Sequence, residues 1–234
     1  MSDMTSRFAG KIVELPQYRG KTRVFDDRRG AGAVLAEMLE DFRPSGAIVL
    51  AIPAGGVPVA ACVASALGLE LDVAVVSKMT PPWNSEVGYG AIAFDQTVLL
   101  NDALIADLGL TDSQVKQGMI DAAKKVKRRL QALRGDRPMP DLSGRTAILV
   151  DDGLASGFTM RAAVAAMKKA QAGRIVVAVP TAHGDTVAGL SAVVSAIYCP
   201  NIRRGWPYAV ADAYRQWRDV DESEAAEILR EFHH

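Results

Sequence analysis

Short apolar runs, many of them β-branched, recur along the chain, and most are followed by a segment whose apolar residues return at helical spacing. That alternation predicts parallel strands joined by crossover helices, an α/β chain. The strand candidates are AIVLAI (47–52), LDVAVV (71–76), TVLL (97–100), TAILV (146–150), RIVVAV (174–179) and VVSAIY (193–198). Most are continuously apolar, as strands covered on both faces are. Helices are expected over 30–42, 57–67 and 160–170. The longest begins at Thr111, where TDSQ has capping-box spacing, and carries Val115, Met119, Ala122, Val126, Leu130 and Leu133 along one stripe. RGDRPMPDLSG (134–144) breaks the pattern but is too short for a linker between domains, so it reads as a loop. Two regions fall outside the alternation: residues 1–25, with a short strand candidate KIVEL, and the aromatic NIRRGWPYAVADAYRQWRD (201–219). The expectation is one domain over residues 1–234 with its core at about 26–200. The terminal segments 1–25 and 201–234 would form a cap or hood.

Composition narrows the function classes. The 234 residues are 49% hydrophobic and 23% charged, enough to bury a substantial core. Lys plus Arg and Asp plus Glu both number 27, so no overall field recruits nucleic acid or an anionic membrane, and neither partner is expected. The KKVKRR run (124–129) then reads as the wet face of the long helix. No run of about eighteen apolar residues suggests a membrane span. Cys62 and Cys199 have no CxxC spacing, and the opening MSDMTSRFAG lacks the apolar centre of a signal peptide. A cytoplasmic, reduced protein is the expectation.

In open α/β sheets ligands bind beyond the carboxyl ends of the strands. Two strand-following loops have special composition, PAGGVP (53–58) and DDGLASGFT (151–159). The second supplies backbone amides from small residues, hydroxyls at Ser156 and Thr159, and the amide end of a helix, features that favour a phosphate. Asp151 and Asp152 would repel that phosphate, so they suit other partners: vicinal sugar hydroxyls, or an indirectly held Mg²⁺. Acids for hydroxyls beside a phosphate cradle spell a ribose phosphate. Plainer readings exist. Asp-Asp-Gly also begins ordinary helices, and PAGGVP also suits a simple turn whose Gly55 and Gly56 supply positive φ. GYGAIA (88–93) fits a dinucleotide fingerprint by letter, but no strand leads into it and no helix follows.

VDDGLASGFT resembles the phosphoribosyl-pyrophosphate signature of type I phosphoribosyltransferases, and IPAGGVPVA resembles the pyrophosphate loop of that family. VVSKMTPPWNSEVGYGAIA resembles its segment with a basic residue and a mobile active-site loop. The resemblance implies a parallel-sheet, Rossmann-like fold with helices on both faces. It also implies Mg²⁺-dependent transfer of ribose 5-phosphate from phosphoribosyl pyrophosphate to a small, heterocyclic nitrogen acceptor, with release of pyrophosphate. Asp151 and Asp152 would then hold the ribose hydroxyls and stabilise charge at the anomeric carbon, with Mg²⁺ nearby. Gly153, Leu154, Ala155, Ser156, Gly157, Phe158 and Thr159 would wrap the 5-phosphate. Ala54, Gly55 and Gly56 would offer amides to the pyrophosphate, and Lys78 would neutralise it. The loop over 79–90 would exclude water.

The pattern also departs from relatives. Ala155 stands where hypoxanthine-guanine enzymes carry an aspartate, which argues against that substrate class, and Ala54 stands where relatives often carry arginine. Phe158 replaces a smaller or polar residue. The resemblance further implies a homodimer. It leaves open a regulator that binds phosphoribosyl pyrophosphate or a nucleotide without turnover. Trp206, Tyr208, Tyr214 and Trp217 suit a hood that stacks on a base, packing of the chain end or a dimer contact, and His183 suits a helix start or packing better than a ligand contact.

Overall fold

A computed structural model describes residues 10–43, 45–84 and 87–233. Part of the N-terminal segment, two residues of the loop over 79–90 and the last histidine therefore lie outside the described residues. The elements run in the order β1 (Lys11–Val13), α1 (Arg28–Met38), β2 (Ile48–Ala51), α2 (Gly56–Leu67), β3 (Glu70–Val73), β4 (Val76–Met79), β5 (Gly90–Ala93) and β6 (Val98–Leu100). They continue with α3 (Asp102–Asp107), α4 (Asp112–Arg134), β7 (Thr146–Val150), α5 (Phe158–Lys169), β8 (Arg174–Ala178), β9 (Thr181–His183), α6 (Gly184–Ser191), β10 (Ala196–Tyr198), β11 (Asn201–Arg203) and α7 (Glu222–Phe232).

The main sheet has the strand order β1-β10-β8-β7-β2-β3, and every ladder in it is parallel. Each central strand is apolar throughout because alternate side chains enter different cores. Val49, Ala51, Ile148 and Val150 pack with residues of α1, α2, α4 and α7. Ile48, Leu50, Ala147 and Leu149 pack with α5 and α6. The expected α/β class with helices on both faces is what the chain forms.

Local signals place the helices well. Thr111 and Gln114 complete the capping box of α4, each side chain taking the other's backbone N–H. Asp27 caps α1 through a 2.8 Å bond from the Gly30 amide, so that helix begins at Arg28, slightly before the expected boundary. A further helix, α7, lies where the pattern assigned no element, and buries Ala225 and Leu229.

The run LDVAVV, expected as one strand, is divided. Its ladder with β2 ends at Val73, and Val76 already belongs to an antiparallel sheet ordered β4-β5-β6. The division leaves no mark in the hydrophobic pattern, because residues 71–77 are buried on both sides of the departure. Within GYGAIA, the segment Gly90–Ala93 is the central strand of that second sheet, which the pattern did not anticipate.

The terminal segments divide their work. β1 adds an edge strand to the main sheet, pairing with β10. Further on, Tyr18 and Phe25 pack against Tyr214 and Ala213. β11 pairs with β9 in a small separate sheet, and Leu154 bridges to Ala182 in β9, which sets that sheet directly against the loop after β7.

Candidate active site at the strand reversal

From β2 the chain moves by α2 to β3 on one side, whereas from β7 it moves by α5 to β8 and then β10 on the other. β2 and β7 are neighbours in register, Ala51 opposite Val150, so the loops that follow them part at their carboxyl ends. A ligand crevice belongs there. Both compositionally special loops occupy it.

The glycines of the first loop serve close approach and not, as one sequence reading had it, positive φ. Gly55 has φ −57°, and Gly56 is the first residue of α2. A Cβ on Gly55 would lie 2.1 Å from the Asp152 Oδ2, and one on Gly56 would lie 2.7 Å from the Val150 carbonyl oxygen and 2.9 Å from the Asp151 Cα. Asp152 is a side-chain obstacle, whereas Val150 and Asp151 present backbone of the central strand. Gly56→Ala is therefore expected to destabilise the fold by about 1–3 kcal/mol, read as a lower urea midpoint. An unchanged midpoint would mean that the two loops can separate freely. The Pro53–Ala54 peptide bond is cis. The Ala54 and Gly55 amides have no acceptor among the described residues, but the Gly56 amide donates to the Ile52 carbonyl at 3.1 Å. Gly56 thus contributes space, its N–H being already engaged.

In the second loop the amides of Ala155, Ser156, Gly157, Phe158, Thr159 and Met160 all lack an acceptor among the described residues. The run ends in the first turn of α5, whose N-cap, Gly157, has φ +68° and no capping side chain. A row of free amides at a helix N-terminus is an arrangement that suits an anion. Ser156 is exposed, and Thr159 and Phe158 are half-buried. Leu154 stands apart from this row: its side chain is in the core, and its amide donates to the Thr181 carbonyl at 2.9 Å. Gly153 is buried, with Val210 and Thr181 occupying the space a side chain would need.

Asp151 and Asp152 sit together between these loops. The Asp152 amide donates to the Asp151 Oδ1 at 2.8 Å. Burial, and then the charge of Asp152, hold the Asp151 carboxyl well above the usual carboxylate range. Burial also raises Asp152, opposed by Arg28. The Arg28 Nε and Nη2 both reach the Asp152 Oδ2, at 2.9 and 2.8 Å. Its Nη1 donates to the Arg218 carbonyl at 2.7 Å, and its guanidinium lies 4.0 Å from the centre of the Trp217 ring. The Tyr214 hydroxyl donates to the Asp152 carbonyl oxygen at 2.5 Å.

Arg28 is the partner of the acid pair that sequence reasoning missed. It lies 124 positions from its partner, in the first turn of a helix, without a motif around it.

Lys78 is placed differently. It projects from β4 as an exposed side chain against Gly88, and its ammonium has no partner among the described residues. None of its described contacts is with the acid pair. The aromatic residues split into two groups. Tyr214 and Trp217 pack together beside Arg28, whereas Trp206 and Tyr208 flank His183, with ring centres 4.9 and 5.5 Å away. His183 accepts from the Asp185 amide and starts α6, in line with its expected helix-start role. No group of three metal-ligating side chains forms among the described residues. A groove of about 1050 Å³ opens between α1, α2 and α7 and is lined by Arg28 and Trp217 but by neither Asp151 nor Asp152.

The family model described as the phosphoribosyl transferase domain matches residues 27–213. Two proteins of Mycobacterium tuberculosis, from strains CDC 1551 and H37Rv, whose names carry the same transferase family, are each 34% identical over 215 residues. The match covers 90% of this chain and 47% of each relative, so the chain spans about half the length of the curated relatives it matches. The crystal structure of a protein from Thermus thermophilus is similar with a TM-score of 0.73 and 33% identity, over 89% of this chain and 98% of that one.

Proposed function

The chain belongs to the phosphoribosyl transferase domain family, and from that premise we propose that it transfers ribose 5-phosphate from phosphoribosyl pyrophosphate to a small heterocyclic nitrogen acceptor, releasing pyrophosphate. The observation that carries this reading is the row of free amides from Ala155 to Met160 beside Asp151 and Asp152 at the strand reversal. The amides suit the 5-phosphate, and the acids suit the ribose 2- and 3-hydroxyls. Free N–H groups on Ala54 and Gly55 suit the pyrophosphate across the crevice, and Lys78, at the start of the loop over 79–90, is the proposed countercharge.

Bond breaking at the anomeric carbon leaves positive charge on the ribose ring, and two carboxylates held against that ring lower the energy of that state. The donor set fits a Mg²⁺ ion held indirectly. Two carboxylates without a third ligand among the described residues match an ion that keeps its waters and takes oxygens from a substrate phosphate. Asp151 and Asp152 would hold it through water, and when bound it would supply charge neutralisation for the leaving pyrophosphate.

The test is a thermal-shift titration of the protein with phosphoribosyl pyrophosphate and Mg²⁺, followed by assay of pyrophosphate release against a panel of purine and pyrimidine bases. Stabilisation together with base-dependent release supports the transferase. Stabilisation with no release against any base favours the non-catalytic binder. Absence of any shift removes the donor assignment.

A further inference from the structure

Two like-charged side chains in adjacent positions, partly withdrawn from water, have no intrinsic reason to present their oxygens in one direction. We infer that Arg28 is a positioning residue for the donor site, and that residues 214–218 hold it so that one oxygen of Asp152 stays turned toward the ribose. The inference rests on the proposed donor site and deepens it.

The geometry supports each link. Nε and Nη2 of Arg28 converge on the same carboxylate oxygen, Oδ2, which leaves the Asp152 Oδ1 outside the fork. A forked contact on one oxygen fixes the rotation of the carboxylate. Gly55 supplies the room for it, since a Cβ there would overlap Oδ2. The guanidinium is itself immobilised, because Nη1 is bound to the Arg218 carbonyl and its face lies on Trp217. Tyr214 holds the other end of Asp152 through its carbonyl oxygen.

All of these anchors come from one segment near the end of the chain. Asp152 is thereby fixed at both side chain and backbone before any ligand arrives, and the ordering that would otherwise oppose binding is already done. Trp217 then has a specific role. It is the platform for Arg28, which favours packing over a base-stacking hood for that tryptophan.

The test compares a ligand that carries ribose with one that does not, on the full chain. Apparent dissociation constants are measured by thermal shift for phosphoribosyl pyrophosphate with Mg²⁺ and for pyrophosphate with Mg²⁺. In Arg28→Ala the ribose-bearing ligand is expected to bind roughly ten- to a hundred-fold more weakly, while pyrophosphate affinity stays within about two-fold. Arg28→Lys keeps a cation but not the fork, and should show a smaller loss of the same selectivity. Trp217→Leu should also weaken the ribose-bearing ligand alone, with Trp217→Phe restoring it.

Equal losses for both ligands would mean that Arg28 only supports the fold, and undiminished affinity would mean that Asp152 orients itself. Either overturns the inference. If Arg28→Ala does not fold, the Arg28→Lys variant and the Trp217 pair carry the same comparison. A wild-type chain that binds neither ligand overturns the donor site and this inference with it. A wild-type chain that binds both, with variants that fail to discriminate, overturns this inference alone.

Discussion

Replacing Asp151 and Asp152 together by asparagine is expected to remove binding of phosphoribosyl pyrophosphate while leaving the fold in place. Hydrogen bonds to charged groups contribute about 1.5–3 kcal/mol each, so losing two weakens the donor by roughly 10²–10⁴-fold. At a ligand concentration of a hundred times the wild-type dissociation constant, the stabilisation of about 2.7 kcal/mol expected for wild type should vanish. Unchanged affinity would end the assignment of these acids to ribose.

The single substitutions should differ in sign when the protein carries no ligand. Asp151 has a folded-state pKa raised by burial and by its neighbour, so the folded protein binds that proton more tightly than the unfolded chain does. The stabilising effect of protonation is fully present below the ordinary carboxylate range and is lost as pH rises through the raised value. Above the ordinary carboxylate range the acid therefore opposes folding relative to a neutral side chain of the same shape, and at neutral pH Asp151→Asn should raise the melting temperature. Its advantage should shrink as pH falls into the range where both states are protonated. Asp152→Asn removes the countercharge of a buried arginine, so it should lower the melting temperature instead. A matched change in both variants would show that the Arg28 pair has no separate electrostatic weight.

Arg134→Ala is expected to be the most destabilising substitution away from the site. Arg134 closes α4 and reaches Asp72 of β3 with paired bonds, Nε to Oδ1 at 2.8 Å and Nη2 to Oδ2 at 2.9 Å. Both side chains are buried, at 6% and 8% relative exposure, and Nη2 also holds the Pro138 carbonyl in the loop that follows. Removing the arginine strands a buried carboxylate, which costs about 3–5 kcal/mol. Urea denaturation measures it. The exposed Arg145–Glu70 pair provides the contrast, since Arg145→Ala should cost at most about 1 kcal/mol through loss of that pair. Removing Asp72 as well should recover part of the Arg134 loss, because no lone charge is then left behind. A loss below about 1 kcal/mol for Arg134→Ala would place its pair with the surface contacts.

Several features were readable directly from the chain because each depends on neighbours within a turn or two. Continuous apolar strands followed by helical stripes determined the α/β class, Thr111 and Gln114 determined where α4 begins, and the acid pair before a small-residue run determined the place of the proposed donor site. Other features depended on which strand ends lie side by side, and spacing along the chain does not carry that. The partnership of Arg28 with Asp152, the pairing of Arg134 with Asp72 and the crowding of Gly55 and Gly56 against the β7 loop join positions that only the strand order brings together. The break between β3 and β4 was hidden for a related reason, since burial continues across it and the hydrophobic pattern records burial rather than the direction of the backbone. Local patterning thus determined the kind of fold and the loop that carries the acids. The tertiary structure decided which groups face those acids, because hydrogen bonds and close packing act over a few ångströms in space, whatever the distance along the chain.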